Sequence, residues 1–275
     1  KEKFAGAEYT ISMEFYLPNG KAIQGPDFHY DGQNFSKAYD IIFLDENGKK
    51  QYVYQNTFAI TTRMLGVMFA VHSDKKGLVI PPRLAPNKIV IIPIFNEKNK
   101  NKILKESKKI KNILKDYNPI LDLREEYRPG FKFNEYELRG IPIRIEIGPE
   151  DISKKQVIIV KRDDGKKKAV KMTKLKKEIP KILESIQKNL FIRAENLLEA
   201  NIIEVRNFTE LEKAINNKKI ALASLCNSRE CEDNLKFKTK GAKVLNIDDK
   251  KSSKGKKCIV CGKKADYIGR VGRSY

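Results

Sequence analysis

The 275-residue sequence has no tryptophan, two histidines and four cysteines, and it is poor in acid, with 35 Asp+Glu against 56 Lys+Arg. Each scarcity excludes something. Four cysteines in so long a lysine-rich chain cannot staple a disulfide-built secreted scaffold, and no apolar signal region opens the sequence, so a reducing, cytoplasmic setting is expected. The longest apolar stretches, IVIIPIF at 89–95 and MLGVMFAV at 64–71, fall far short of the ~20 residues that cross a bilayer as a helix, so no membrane partner is expected. The sequence has only His29 and His72 and shows no Ser-His-Asp or Cys-His arrangement, which does not count against an enzyme whose chemistry needs no general base. The sequence opens on Lys1 and runs at once into a motif-like segment, KFAGAEYT, which suggests a start inside a domain.

What is present points to several folded domains with a basic surface. At ~100 to 200 residues per domain the length implies two or three. Hydrophobic residues make up 40% and the formal charge is +21, so the chain can bury cores and still attract polyanions. The charge is uneven: residues 1–86 hold 10 basic and 9 acidic side chains, 87–190 hold 27 and 15, and 191–275 hold 19 and 11. A polyanion would meet the middle and the end, unless the lysines only solvate a surface.

Residues 9–17 read as a strand, Pro18-Asn19-Gly20 as a tight turn and 21–24 as the return strand. Residues 41–44 and 51–54 repeat this grammar around Glu46-Asn47-Gly48, which predicts one antiparallel sheet. A buried helix is predicted over 61–72, and Pro81, Pro82 and Pro86 mark a boundary near 85. Beyond it, strands at 89–94, 143–147 and 157–161 and a lysine-coated helix with Ile103, Ser107, Ile110 and Leu114 on one face argue for an α/β domain. Residues 173–200 have helical periodicity with Pro180 as a kink or restart, and a third unit follows from about 201.

Four features could carry chemistry. Cys226 and Cys231, then Cys258 and Cys261, form two close pairs that could close a tetrahedral four-sulfur Zn²⁺ site with no room for water, hence a structural one; the alternative is four unrelated thiols. Gln24, Asp27, His29, Asp31, Gln33 and Asn34 crowd around Gly32 between two predicted strands, where a sheet face could present them to a small ligand. Arg63 lies in a run, TTRMLGVMFA, that reads as too apolar to expose. A buried guanidinium needs an anion, either a phosphate gripped bidentately or an internal carboxylate. In the middle domain Arg124, Arg128, Lys132, Arg139 and Arg144 interleave with Tyr127, Phe131, Phe133 and Tyr136, a combination that suits unstacked nucleic acid or the packing of the aromatics.

Several segments together, KFAGAEYT, GQNFSKAYDI, YQNTFAITTR, KGLVIPPRLAP, RPGFKFNEYELRGIPIRIEIGPEDI and the two cysteine pairs, resemble the prolyl-tRNA synthetases, collinearly over nearly the whole chain. The resemblance is to the archaeal and eukaryotic form, with a C-terminal zinc-binding domain and a terminal tyrosine, here Tyr275. It implies a class II aminoacyl-tRNA synthetase that activates L-proline with ATP and Mg²⁺ to prolyl-adenylate and transfers the prolyl group to tRNA(Pro). The implied fold is α/β and α+β multidomain. Residues 1–85 would be part of an antiparallel β-sheet catalytic domain, 86–190 an α/β anticodon-binding domain and 191–275 an α/β zinc-binding domain.

The resemblance makes Arg63 the motif 3 arginine that grips the ATP γ-phosphate, places Gln24 and Thr61 at the nucleotide and His29 at the proline pocket. It assigns the anticodon to 125–146, through Glu125, Arg128, Lys132, Glu137, Arg144 and Glu146. Adenylate formation needs positioning and charge neutralisation more than a general base. There are departures. Pro26-Asp27-Phe28-His29 stands where the family has glycine and then threonine-serine-histidine, and an aspartate would repel ATP phosphates unless it met a metal or the imino group of proline. Tyr54, Phe58 and Tyr136 replace family tryptophans. Motifs 1 and 2 have no counterpart before Lys1, so the expected form is a C-terminal fragment, inactive alone, of a homodimeric parent. The alternative is a noncatalytic tRNA-binding paralogue built from the same domains.

Overall fold

The computed structural model describes residues 3–275. They fall into two compact units, one made of residues up to 67 together with Leu197–Tyr275, the other of Met68–Asn196.

The first segment begins with β1 (Tyr9–Tyr16) and β2 (Lys21–Gly32), an antiparallel hairpin with Tyr9 opposite Tyr30 and Tyr16 opposite Ala22. Gly20, at φ +85°, supplies the left-handed residue that closes the turn. The polar cluster expected between two strands lies largely within one: β2 continues through Gln24, Asp27 and His29 to Gly32. Alternation puts Asp27, His29 and Asp31 on one face and Phe28 and Tyr30 on the other. After α1 (Asn34–Ala38), β3 (Ile42–Leu44) and β4 (Lys50–Tyr52) form a separate two-stranded ribbon instead of extending the first sheet. It is β5 (Gln55–Ala59) that pairs with β2.

The helix α2 (Arg63–His72) forms where expected, but it is not buried. Val67 is its single buried residue, and Leu65 is 53% exposed. Ile11, Met13, Phe58 and Ile60 are also largely exposed. An apolar run sets the tendency to bury; whether anything covers it is a tertiary matter.

The second unit builds a five-stranded sheet from β6 (Ile89–Pro93), β7 (Ile120–Leu121), β8 (Ile143–Ile147), β9 (Gln156–Lys161) and β10 (Lys167–Lys171) in the order β10-β9-β8-β6-β7. The β6, β7 and β8 strands are parallel, and β9 and β10 add antiparallel neighbours. Helices α3 (Lys100–Ile113), α4 (Pro129–Leu138), α5 (Pro149–Ser153) and α6 (Leu175–Glu199) connect and cover these strands. A sheet covered on both faces explains the unbroken apolar strands. Ile89 and Ile91 join Ile103, Ile110, Ile179 and Ile186 in one core, while Val90 and Ile92 join Tyr136 in another. Pro180 lies inside α6 without ending it.

Sequence punctuation fixes the ends of α4. Pro129 occupies its first turn, where a missing N–H costs nothing. At the other end Gly140, at φ +75°, donates to the Glu137 carbonyl at 3.1 Å and Ile141 to the Tyr136 carbonyl at 3.2 Å, the paired bonds of a Schellman stop.

The last segment carries β11 (Ile202–Glu204), α7 (Phe208–Asn216), β12 (Ile220–Leu225), α8 (Arg229–Lys238), β13 (Ala242–Ile247) and β14 (Tyr267–Ser274). Among the described residues these strands do not close a sheet of their own. The end of β14 runs parallel to β2, Arg273 opposite Lys21 and Ser274 opposite Ala22, joining one seven-stranded sheet. The Tyr16 hydroxyl donates to the Lys218 carbonyl at 2.6 Å, and the Asn19 amide donates to the Tyr275 hydroxyl at 2.6 Å.

Candidate functional site

On the polar face of the β1–β2 hairpin, β2 brings Gln24, Asp27 and His29 together. Thr10 Oγ1 and His29 Nδ1 share a hydrogen bond of 2.9 Å, and His29 Nε2 lies 3.5 Å from Asp27 Oδ1. The Phe4 ring stacks on the imidazole with centroids 4.7 Å apart. Gln24 donates to Asp27 Oδ2 at 3.4 Å, and Arg63 Nη1 donates to the Gln24 carbonyl at 3.1 Å. Thr61 is exposed just before α2.

The expectation of a buried Arg63 fails, because α2 leaves it in solvent with one donor committed to backbone. Its other donors face outward, where an anion could reach them. Thr10, Ser12, Gln24, Asp27 and His29 line a cavity of about 750 Å³ together with Glu232, Lys243, Asn246 and Tyr267 of the last segment, while Thr61 and Arg63 are not part of its lining. Thr10 and Phe4 escaped the sequence reading because their role depends on lying across from or against His29.

In the second unit the predicted base-contacting residues occur in two different settings. Lys132 is 3% exposed, its ammonium donating to the carbonyls of Asp122 and Arg124 and lying 3.4 Å from Asp122 Oδ1. Arg124 grips the same carboxylate with Nε at 3.0 Å and Nη2 at 2.7 Å, and reaches Glu135 at 2.5 Å. Burial of Asp122 opposes its ionisation, yet the Arg124 hydrogen bonds and the Lys132 charge outweigh it and hold the carboxyl down at about 2. Arg144 is clamped between Glu137 at 3.1 Å and Glu146 at 2.9 Å. Glu125 pairs with Lys100 at 2.7 Å, and Arg128 is exposed at the start of α4.

The aromatics divide likewise. Tyr136 is core, and Phe133 packs against it with the Arg144 guanidinium 4.3 Å from its ring centroid. Tyr127 and Phe131 remain open to solvent. Asp122, the organiser of this cluster, gave no sequence signal, since it acts through a lysine ten positions later on a helix that the sequence reading did not assign.

The four cysteines converge. Their sulfurs all lie within 4.8 Å of one another, with Cys226 and Cys261 at 3.8 Å. Tetrahedral Zn–S bonds of about 2.3 Å set sulfurs roughly 3.8 Å apart, so the cluster fits that ion. Cys226 follows directly on β12, Cys231 lies on α8, and Cys258 and Cys261 on the loop before β14. Burial pushes the Cys231 thiol up, while the Lys263 backbone N–H and the Cys231 thiol draw Cys261 down to about 7.

Residues 88–182 match the anticodon binding domain family, and residues 208–275 match the family described as prolyl-tRNA synthetase, C-terminal. A proline-tRNA ligase of Natranaerobius thermophilus is 39% identical over 95% of the chain and 54% of its own length. Proline-tRNA ligase 2 of Bacillus cereus (strain ATCC 10987) is 40% identical over 100% of the chain and 57% of its own length. A proline-tRNA ligase of Alkaliphilus oremlandii is 37% identical with the same coverage, 100% and 57%. The chain thus spans about half the length of the curated relatives it matches. Residues 88–182 and 208–275 match an anticodon binding domain and a prolyl-tRNA synthetase C-terminal domain, and the chain is similar from end to end to about half of each of these proline-tRNA ligases.

Proposed function

We propose that this chain is the part of a proline-tRNA ligase that carries motif 3, the anticodon-binding domain and the C-terminal zinc domain. The observation that carries the reading is the 37–40% identity over 95–100% of the chain to proteins named as proline-tRNA ligases. In the reaction the proline carboxylate attacks the ATP α-phosphorus, forming the acyl-phosphate bond of prolyl-adenylate and expelling pyrophosphate. The terminal ribose hydroxyl of tRNA(Pro) then displaces AMP.

The residues divide the work as their chemistry allows. Arg63, with outward-facing donors, takes the γ-phosphate, and Gln24 and Thr61 hold the nucleotide. His29, held by Thr10, Asp27 and Phe4, shapes the proline pocket. Asp27 lies on the same face, and its charge suits the imino group of proline better than a phosphate. Glu125, Arg128, Glu137, Arg144 and Glu146 meet the anticodon, with Lys132 supporting them from inside.

Cys226, Cys231, Cys258 and Cys261 hold a structural Zn²⁺. Mg²⁺ enters with ATP, bound chiefly by its phosphates. Residues 1–85, 86–190 and 191–275 are the catalytic, anticodon and zinc portions. The whole enzyme is a cytoplasmic homodimer.

The test is proline-dependent ATP–pyrophosphate exchange and tRNA(Pro) charging. A chain of the relatives' full length should do both, and Arg63→Ala should reduce exchange by about 100-fold or more. The 275-residue chain alone should do neither, since the second nucleotide-binding arginine of the family lies in motif 2. A full-length protein that binds tRNA(Pro) yet exchanges no pyrophosphate would establish the noncatalytic paralogue instead.

A further inference from the structure

Phe95, Tyr117, Phe133 and Tyr136 of the second unit are used by its cores, but Tyr127 and Phe131 are 39% and 51% exposed and belong to none of its buried clusters. They lie against each other with ring centroids 4.5 Å apart and planes 14° from parallel. The Arg124 guanidinium lies 5.0 Å from the Tyr127 centroid. Because Arg124 is already bound to Asp122 and Glu135, it is fixed in place, and the stack of cation and two rings is pre-formed.

Phe131 stands in the first turn of α4, whose start is set by Pro129, so its ring is held by a helix rather than a loop. A half-open aromatic face on a rigid element, in a stretch with 27 basic and 15 acidic side chains, suits a planar group that arrives attached to phosphates. Exposed Arg128 adjoins it, and Glu125 can accept hydrogen bonds beside it.

We infer that Tyr127 and Phe131 form a stacking platform for one unpaired base of the tRNA(Pro) anticodon loop, with Phe131 as the ring the base covers. The inference rests on the reading of this unit as the anticodon binder and adds to it the contact that holds the strand, as distinct from the ion-paired Glu137, Arg144 and Glu146.

The experiment uses the 275-residue chain and a proline anticodon stem-loop RNA carrying 2-aminopurine at one loop position at a time. With the wild-type chain one position should lose fluorescence on binding, as a stacked base does. Phe131→Ala should abolish that quenching and weaken binding by about 10- to 100-fold. Phe131→Trp should retain both, and Phe131→Leu, apolar but without a π-face, should behave like the alanine variant. The slope of affinity against salt should stay that of wild type, because no phosphate contact is removed. Circular dichroism identical to wild type verifies that each variant folds. Salt-sensitive wild-type binding with quenching and affinity unchanged in Phe131→Ala and Tyr127→Ala would overturn the platform and leave the anticodon reading standing. No binding of the stem-loop by the wild-type chain would overturn both.

Discussion

Lys132 carries its charge into an interior where an unpaired ammonium could not persist, and Asp122 is the reason that it can. Asp122→Asn should therefore destabilise the second unit by about 3–5 kcal/mol, seen as a lower urea midpoint, and adding Lys132→Met should recover much of the loss. The depressed Asp122 carboxyl fixes the sign of the acid response. Its folded value of about 2 lies below the unfolded 3.8. Its contribution is therefore complete above pH ~4 and disappears as pH falls through ~2, an effect of order 2 kcal/mol. Unfolding of the wild type should steepen in that window, and the Asp122→Asn chain should lack this component. Arg63 teaches the complementary lesson. Its apolar neighbours in sequence are themselves exposed, so a hydrophobic flank was no guide to burial.

Among the elements, α4 shows local sequence at its most decisive, since Pro129 and Gly140 set both ends. A Cβ at Gly140 would come 2.7 Å from the Leu78 carbonyl oxygen at a φ of +75°. Gly140→Ala should cost about 2 kcal/mol or more, measured as a drop in the urea midpoint of the second unit, because backbone stands in the way and cannot swing aside. The cysteine cluster ties α8 to the loop before β14 at the edge of the apolar core that these elements share. Chelating zinc from reduced protein, or changing buried Cys231 to Ser, should remove amide-exchange protection from α8, β13 and β14 while leaving β6, β8 and β9 protected. Since β14 also pairs with β2, the hairpin should loosen with it. Identical melting with and without zinc would refute a structural metal.

For the molecule as a whole, the distribution of charge predicts how it meets RNA. If about six phosphates are neutralised, affinity for tRNA(Pro) should fall roughly 1,000-fold between ~50 and ~200 mM salt. An affinity that ignores salt would mean that the lysines serve solubility. The segments 1–86 and 191–275 differ in charge and read as separate, yet they share a sheet through two residue pairs of β14 and β2. No local pattern announces that pairing, because a parallel contact between the second and the last strand needs only compatible edges.

The sequence by itself determined the α/β character of 87–170, the apolar faces of α3 and α6, the cysteine quartet and the family motifs, since periodicity, ligand type and long collinear segments are local properties. It misplaced the polar cluster outside a strand, buried α2 and did not assign α4, β5 or β7. Only the tertiary structure decided that Lys132 faces inward, that Tyr127 and Phe131 remain open while Phe133 and Tyr136 do not, and that Gln24, Asp27 and His29 line one cavity while Arg63 reaches the Gln24 backbone carbonyl. Burial and ion pairing depend on which distant segment happens to lie opposite, and that is settled by the packing of the whole chain.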